Sequence, residues 1–165
     1  MKRRNLFVLI VVAVMAVSFL AGIAQAQDKP ATPAQAKELH HKALAFFKEV
    51  GCEKALVEFN NLKSPYNASY SNAYITTSDF NGIATSNGRY AYIVGKNLIS
   101  LKDADGKPFL KNGLDAIQKN NKASLEYKWQ DPKTKQLSTR TLFGETVDCD
   151  ARGKLSLSVT YEGKM

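Results

Sequence analysis

Ser124-Leu125-Glu126-Tyr127-Lys128-Trp129-Gln130-Asp131-Pro132 is the stretch whose reading decides the fold. Leu125, Tyr127 and Trp129 alternate with Ser124, Glu126 and Lys128, and a period of two belongs to a strand with one aromatic face and one polar face. Asp131-Pro132 breaks it. Leu137 to Val147 reads as the next strand and the acidic, glycine-containing segment Asp148 to Gly153 as its reversal. In a third strand Leu155, Leu157, Val159 and Tyr161 alternate with Ser156, Ser158 and Thr160. Strands that follow one another through short reversals are antiparallel.

Upstream of this block, Lys102 to Lys107 reads as a turn, and Pro108 opens a helix carrying Phe109, Leu110, Leu114 and Ile117. Tyr74-Ile75-Thr76-Thr77 reads as a strand ended by Asp79-Phe80-Asn81-Gly82, since Asn81-Gly82 accepts the positive φ of a hairpin. A short strand from Ile83 to Thr85 and a loop at Asn87-Gly88 follow. Nearer the N-terminus, Thr32, Pro33 and Gln35 stand as N-cap, N1 and N3 of a helix. Its apolar positions Ala36, Leu39, Ala43, Phe46, Phe47 and Val50 run to a C-cap at Gly51. A second helix spans Cys52 to about Asn60, with Ala55, Leu56 and Phe59 on one side. Helices first, strands after and one helical crossover between them make an α+β domain whose sheet is covered by the long helix.

The chain begins with Lys2-Arg3-Arg4, an apolar run from Leu6 to Ala24, and Ala24-Gln25-Ala26. A basic n-region, an apolar core and a small-x-small step are the features of a secretory signal peptide. Residues 1–26 are therefore expected to be removed, leaving a polar lead over 27–31 and one domain over 32–162. The alternative is an uncleaved segment tethering the domain to the inner membrane, because the run approaches the roughly 20 residues needed to span a bilayer. Cleavage leaves 139 residues at net charge +5, with lysines scattered singly, so a nucleic-acid partner is not expected. Two cysteines, Cys52 and Cys149, reach an oxidising compartment on this reading, where an even count favours a disulfide. Two separate thiols are the other reading.

Catalytic and metal signatures are weak. His40 and His41 are the only histidines, and neighbours on a helix point about 100° apart, so they do not share a metal as an i,i+4 pair does. They read as surface residues, and no metal site is expected. Asp103-Ala104-Asp105-Gly106 and Asp148-Cys149-Asp150 lack the twelfth-position glutamate of a calcium loop and read as tight turns. Glu126 and Glu145 do not form an evident carboxylate pair, Glu126 lying on the polar face of its strand. Asn67-Ala68-Ser69 matches the glycosylation triplet. Neither a catalytic residue nor a cofactor is implied, and the chain does not read as an enzyme.

Val94-Gly95-Lys96-Asn97-Leu98 followed by Leu101-Lys102-Asp103-Ala104-Asp105-Gly106-Lys107-Pro108-Phe109 resembles the single Cache domains of type 2, extracytoplasmic PAS-like sensor modules of chemoreceptors and histidine kinases. The resemblance extends over about Thr32 to Tyr161. It implies a long N-terminal helix against a curved antiparallel sheet, with a small molecule, often a carboxylate, held beneath loops on the open face. Carried over position by position, it marks Tyr74, Tyr127, Trp129 and Arg140 as ligand-binding candidates, Arg140 as the bidentate partner of a carboxylate. The alternative is that Tyr127 and Trp129 pack in the core while Arg140 faces solvent. The family's alanine-histidine-proline step is replaced by Thr85-Ser86-Asn87 and Gly88-Arg89-Tyr90, which leaves Arg89 and Tyr90 as candidate anion contacts in place of the histidine. The function implied is a periplasmic domain that binds a small organic molecule. With no signalling segment after Met165, it would work through a membrane receptor or kinase partner. The second reading is an envelope protein-interaction domain without a ligand.

Overall fold

The structure, a computed structural model, describes residues 29–132 and 134–165. The proposed signal segment and Gln27-Asp28 lie outside the described residues. Among the described residues no helix is long and apolar enough to cross a membrane.

Helix α1 spans Pro33–Val50 and starts as its capping residues dictate. The Thr32 hydroxyl accepts the Gln35 N–H, and the Gln35 side chain accepts the Thr32 N–H. Gly51, at φ 81°, ends α1 and leads directly into α2, Cys52–Asn60. A one-turn helix, α3 at Pro65–Ala68, follows, with Ser64 as its N-cap; four residues are too few to show a period. Strands β1 (Ala73–Asp79) and β2 (Ala84–Asn87) form the first hairpin. Helix α4 (Phe109–Asn120) crosses over to β3 (Lys122–Gln130), β4 (Leu137–Cys149) and β5 (Gly153–Glu162).

All pairings are antiparallel, in the order β2-β1-β5-β4-β3. The last strand of the chain is therefore central, between the first hairpin and the β3-β4 pair. One face of the sheet, through Ile75, Phe143, Val147, Leu155, Leu157 and Val159, packs on the α1 stripe Ala36, Leu39, Ala43 and Phe47 and on Ala55, Leu56 and Phe59 of α2. The other face carries α4, whose Phe109, Leu110, Leu114 and Ile117 meet Tyr127 and Leu142. Cys52 and Cys149 are bonded to each other, their Cα atoms 5.2 Å apart, which joins the start of α2 to the end of β4.

Three expectations change, concerning His40, the end of β2 and Pro108. His40 is not a surface residue: it is 0% exposed, with Nε2 3.0 Å from the Leu157 carbonyl oxygen and its ring edge-on to Phe143 at 4.9 Å. Position 40 belongs to the buried stripe 36, 40, 43, 47, and burial pushes its pKa down to about 4, so the imidazole is neutral and Nε2–H donates. Strand β2 continues to Asn87, beyond the expected Thr85, and the Asn87 side-chain oxygen then accepts the N–H groups of Arg89 and Tyr90 to make the next turn. Pro108 is the N-cap of α4 and not its first helical residue. Ser156, Ser158 and Thr160 are as buried as the leucines they alternate with, because a central strand covered on both faces has no solvent side. Asn67 is 9% exposed, and its amide donates to the carbonyls of Phe59 (2.9 Å) and Asn61 (3.0 Å), so the triplet does not present a free acceptor nitrogen. Asp103 does form a tight turn, accepting from Asp105 and Lys107.

Candidate functional site

The α4 face of the sheet is not filled. A cavity of about 90 Å³ is bounded below by β1, β5, β4 and β3, above by α4, and at its end by the 90–101 segment. Register explains its floor. Tyr74 pairs with Thr160, Thr76 with Ser158 and Ser78 with Ser156 across β1 and β5, while Leu142 pairs with Thr160 and Tyr127 with Arg140 on the other side. Side chains directly opposite one another share a face, so the small hydroxyl residues make a shallow polar trough between taller aromatic walls. Phe109 stacks on Tyr127 with centroids 4.1 Å apart, and Trp129 stands edge-on to both.

Arg140 is the charged group of this wall. It is 2% exposed, which excludes the solvent-facing reading. Its guanidinium lies 5.8 Å from the Trp129 ring centroid, donates from Nη1 to the Tyr90 hydroxyl at 3.4 Å, and sits 3.5 Å from Glu162 Oε2. Glu162 is itself substantially exposed, so this one long ion pair offsets little of a buried charge. The Tyr90 hydroxyl in turn donates to Asp131 Oδ2 at 3.1 Å. Arg140 Nε and Trp129 Nε1 are buried donors with no protein acceptor. Burial pushes the Tyr74 phenol up to about 12 and also raises that of Tyr127, with Arg140 pulling both the other way. Both phenols therefore stay protonated at neutral pH, beside the Thr160 hydroxyl.

Five of the six ligand candidates, Tyr74, Tyr90, Tyr127, Trp129 and Arg140, line this cavity. Arg89 does not. It is exposed, donates to the Ser71 carbonyl at 3.2 Å, and lies about 6.0 Å from the Tyr74 and Tyr90 rings on their outer side. It borders a more open groove that also touches Asp131, Arg140 and Glu162. Arg140 thus stands between groove and cavity. Residues not anticipated at the site are Thr76, Ser86, Asn87, Ser158 and Thr160 and the apolar roof of Leu98, Leu101, Leu110 and Leu114. Their only signal is hydroxyl residues at alternate positions in two strands, which points to a pocket once those strands are known to be neighbours. Glu126 and Glu145 are not a pair: Glu126 is opposite Thr141 and Glu145 opposite Lys122, at the far end of the β3-β4 ladder.

A five-stranded antiparallel sheet in this order, backed by a long N-terminal helix and holding a cavity beneath a helical crossover, is a PAS-like α+β domain. The family model described as single Cache domain 2 matches residues 11–147, and the chain belongs to that family. Such domains are sensor modules of chemoreceptors and histidine kinases. Similar solved structures include a methyl-accepting chemotaxis protein from Vibrio parahaemolyticus, with TM-score 0.53 and 22% identity over 78% of this chain and 88% of that one. A periplasmic sensor domain of a chemotaxis protein gives TM-score 0.53 and 16% identity over the same shares, 78% and 88%. A Cache domain, the subject of a structure on carboxylic acid recognition by a chemosensory domain, gives TM-score 0.51 and 14% identity over 98% and 99%. At these identities the likeness is one of fold. No curated protein matches the chain.

Proposed function

We propose that this domain is an exported, periplasmic sensor that captures a short organic carboxylate in the cavity between β5 and α4 and reports it to a membrane receptor or kinase partner. The observation that carries the reading is the imbalance of hydrogen-bonding groups at the cavity. Arg140 Nε and Trp129 Nε1 are buried donors without acceptors, and the phenols of Tyr74 and Tyr127 are held neutral beside them. Native interiors rarely leave such donors unpaired. A carboxylate brings acceptor oxygens and the countercharge for Arg140 in one group, and guanidinium recognises it bidentately. The fold neighbour described for carboxylic acid recognition by a Cache chemosensory domain is consistent with this chemistry. Size narrows the class. About 90 Å³ is less than the ~150 Å³ engineered cavity that accommodates benzene, which favours acids of about two to four carbons. The leader Met1–Ala26, with cleavage before Gln27, would supply the export.

Thermal unfolding of the oxidised protein, emptied of carried-over ligand, against acetate, propionate, pyruvate and lactate tests this, with amines and purines as contrast. A saturable rise is expected with the acids, following RT ln(1 + [L]/Kd), about 2.7 kcal/mol at a hundredfold excess over Kd. Arg140→Ala should abolish the rise, and Arg140→Lys should keep a weaker one. Equal stabilisation of parent and Arg140→Ala would remove Arg140 from the site. A flat response to every class would favour an envelope protein-interaction domain.

A further inference from the structure

On the sheet face opposite the cavity, a ring nitrogen of His40, a ring nitrogen of His41 and a carboxylate oxygen of Glu145 lie within 4.8 Å of one another. We propose that these three side chains bind a divalent transition-metal ion of the zinc type, joining the middle of α1 to β4.

The argument starts from His40. Its Nε2–H is committed to the Leu157 carbonyl at 3.0 Å, which fixes the tautomer and leaves the lone pair on Nδ1. That nitrogen is buried and has no hydrogen-bond partner, on a side chain that is 0% exposed. A metal-ligating histidine characteristically donates its other ring N–H to a backbone carbonyl or carboxylate, which orients the ring and raises its basicity. His40 already makes that second bond, which leaves Nδ1 as the nitrogen able to ligate.

The other two ligands come from different elements. Adjacent helical residues diverge by about 100°, but His41 is exposed and free to turn, and Glu145 reaches the same place from β4. A tetrahedral site with bonds of ~2.0–2.1 Å holds its ligand atoms roughly 3.3 Å apart, so any pair that stands near the 4.8 Å limit must draw closer. Rotation of His41 and Glu145 can supply this without moving the backbone. The competing cation is Lys122, whose Nζ is 2.6 Å from Glu145 Oε1 and 4.9 Å from the Phe143 ring centroid. The Lys122 side chain is 50% exposed, so its ammonium can be released to water. Two imidazoles and one carboxylate select borderline ions such as Zn²⁺, Co²⁺ or Ni²⁺ over Mg²⁺ and Ca²⁺, and leave at least one position for solvent.

Titration of the chelator-stripped, oxidised protein with ZnCl₂ or CoCl₂ alone tests the site. One saturable equivalent is expected, with a rise in Tm and, for Co²⁺, the visible d–d absorption of a low-symmetry site; MgCl₂ should do neither. His41→Ala and Glu145→Gln should each weaken Kd about tenfold or more while leaving the metal-free Tm nearly unchanged. Lys122→Gln, which removes the competitor, should tighten it. His40→Ala is expected to damage the core, so the test does not depend on it. The proposal fails if no saturable equivalent binds, if Mg²⁺ binds equally well, or if zinc affinity survives both His41→Ala and Glu145→Gln.

Discussion

Tyr74 and Arg140 are neighbours out of water, and the group that gives way with pH is the phenol. Burial raises the Tyr74 pKa to about 12, against which the nearby guanidinium works only in part. Below pH 10 the phenol is protonated in folded and unfolded chains alike, so its contribution to stability is constant. Between about pH 10 and pH 12 the unfolded chain ionises first, and the folded state loses about 3 kcal/mol relative to neutral pH. The raised Tyr127 phenol acts in the same direction. Tyr74→Phe should therefore flatten the alkaline loss. Urea midpoints of parent and variant at pH 9 and pH 11.5 measure this as a double difference, which cancels the lysines that titrate over the same range. Parallel losses in the two proteins would show that Tyr74 is better solvated than the packed cavity wall implies.

At the level of elements, the contact to test is α4 on β4. A Cβ on Gly144 would run into the Ser158 hydroxyl and come within 2.9 Å of Ile117 Cδ1, so the glycine is what allows helix and strand to approach. Gly144→Ala should lower stability by about 1–3 kcal/mol. Because it lifts the cavity roof, it should also weaken carboxylate binding; a denaturation midpoint and ligand titration equal to the parent's would show that the approach is not tight. The same scale separates what was legible in the chain from what was not. Helices α1 and α2 and strands β3, β4 and β5 carry enough periods to be read directly, and Tyr127, Trp129 and Arg140 were found through motifs in β3 and β4. The short α3 and the end of β2 are set by side-chain bonds of Ser64 and Asn87, which leave no period. The burial of Ser158 and Thr160 does not follow from alternation alone, because chain order does not show that β5 inserts between β1 and β4. The apolar neighbours of His40 at i−4, i+3 and i+4, Ala36, Ala43 and Leu44, do point to its burial, whereas adjacency to His41 suggests a like pair where the helix has one buried and one exposed residue.

Over the whole molecule, that insertion means the sheet is complete only when the end of the chain is in place. Strand β5 bonds to β1 and β4 along nearly its full length, and both layers, α1 with α2 on one face and α4 on the other, rest on it. The Cys52–Cys149 bond spans 97 residues and shortens the search by holding α2 near the β4-β5 turn in the unfolded chain. The bidentate ion pair of Arg152 with Glu53 beside it, at 2.7 and 3.0 Å, is exposed and adds little. On the chain-entropy account a loop of this length contributes up to ~4–5 kcal/mol, a large share of the 5–15 kcal/mol typical of a domain. The Cys52→Ser/Cys149→Ser protein should therefore unfold at much lower guanidinium concentration, and with a steeper dependence on denaturant, because its unfolded chain exposes more surface. The constraint acts on the unfolded state, and the bond lies at the edge of the α1 layer, away from the cavity. Carboxylate affinity of the variant's folded fraction should thus match the parent's. A lower midpoint with unchanged affinity would place the disulfide's effect in the unfolded chain. Loss of affinity along with stability would instead show that the bond holds the two faces of the sheet in register.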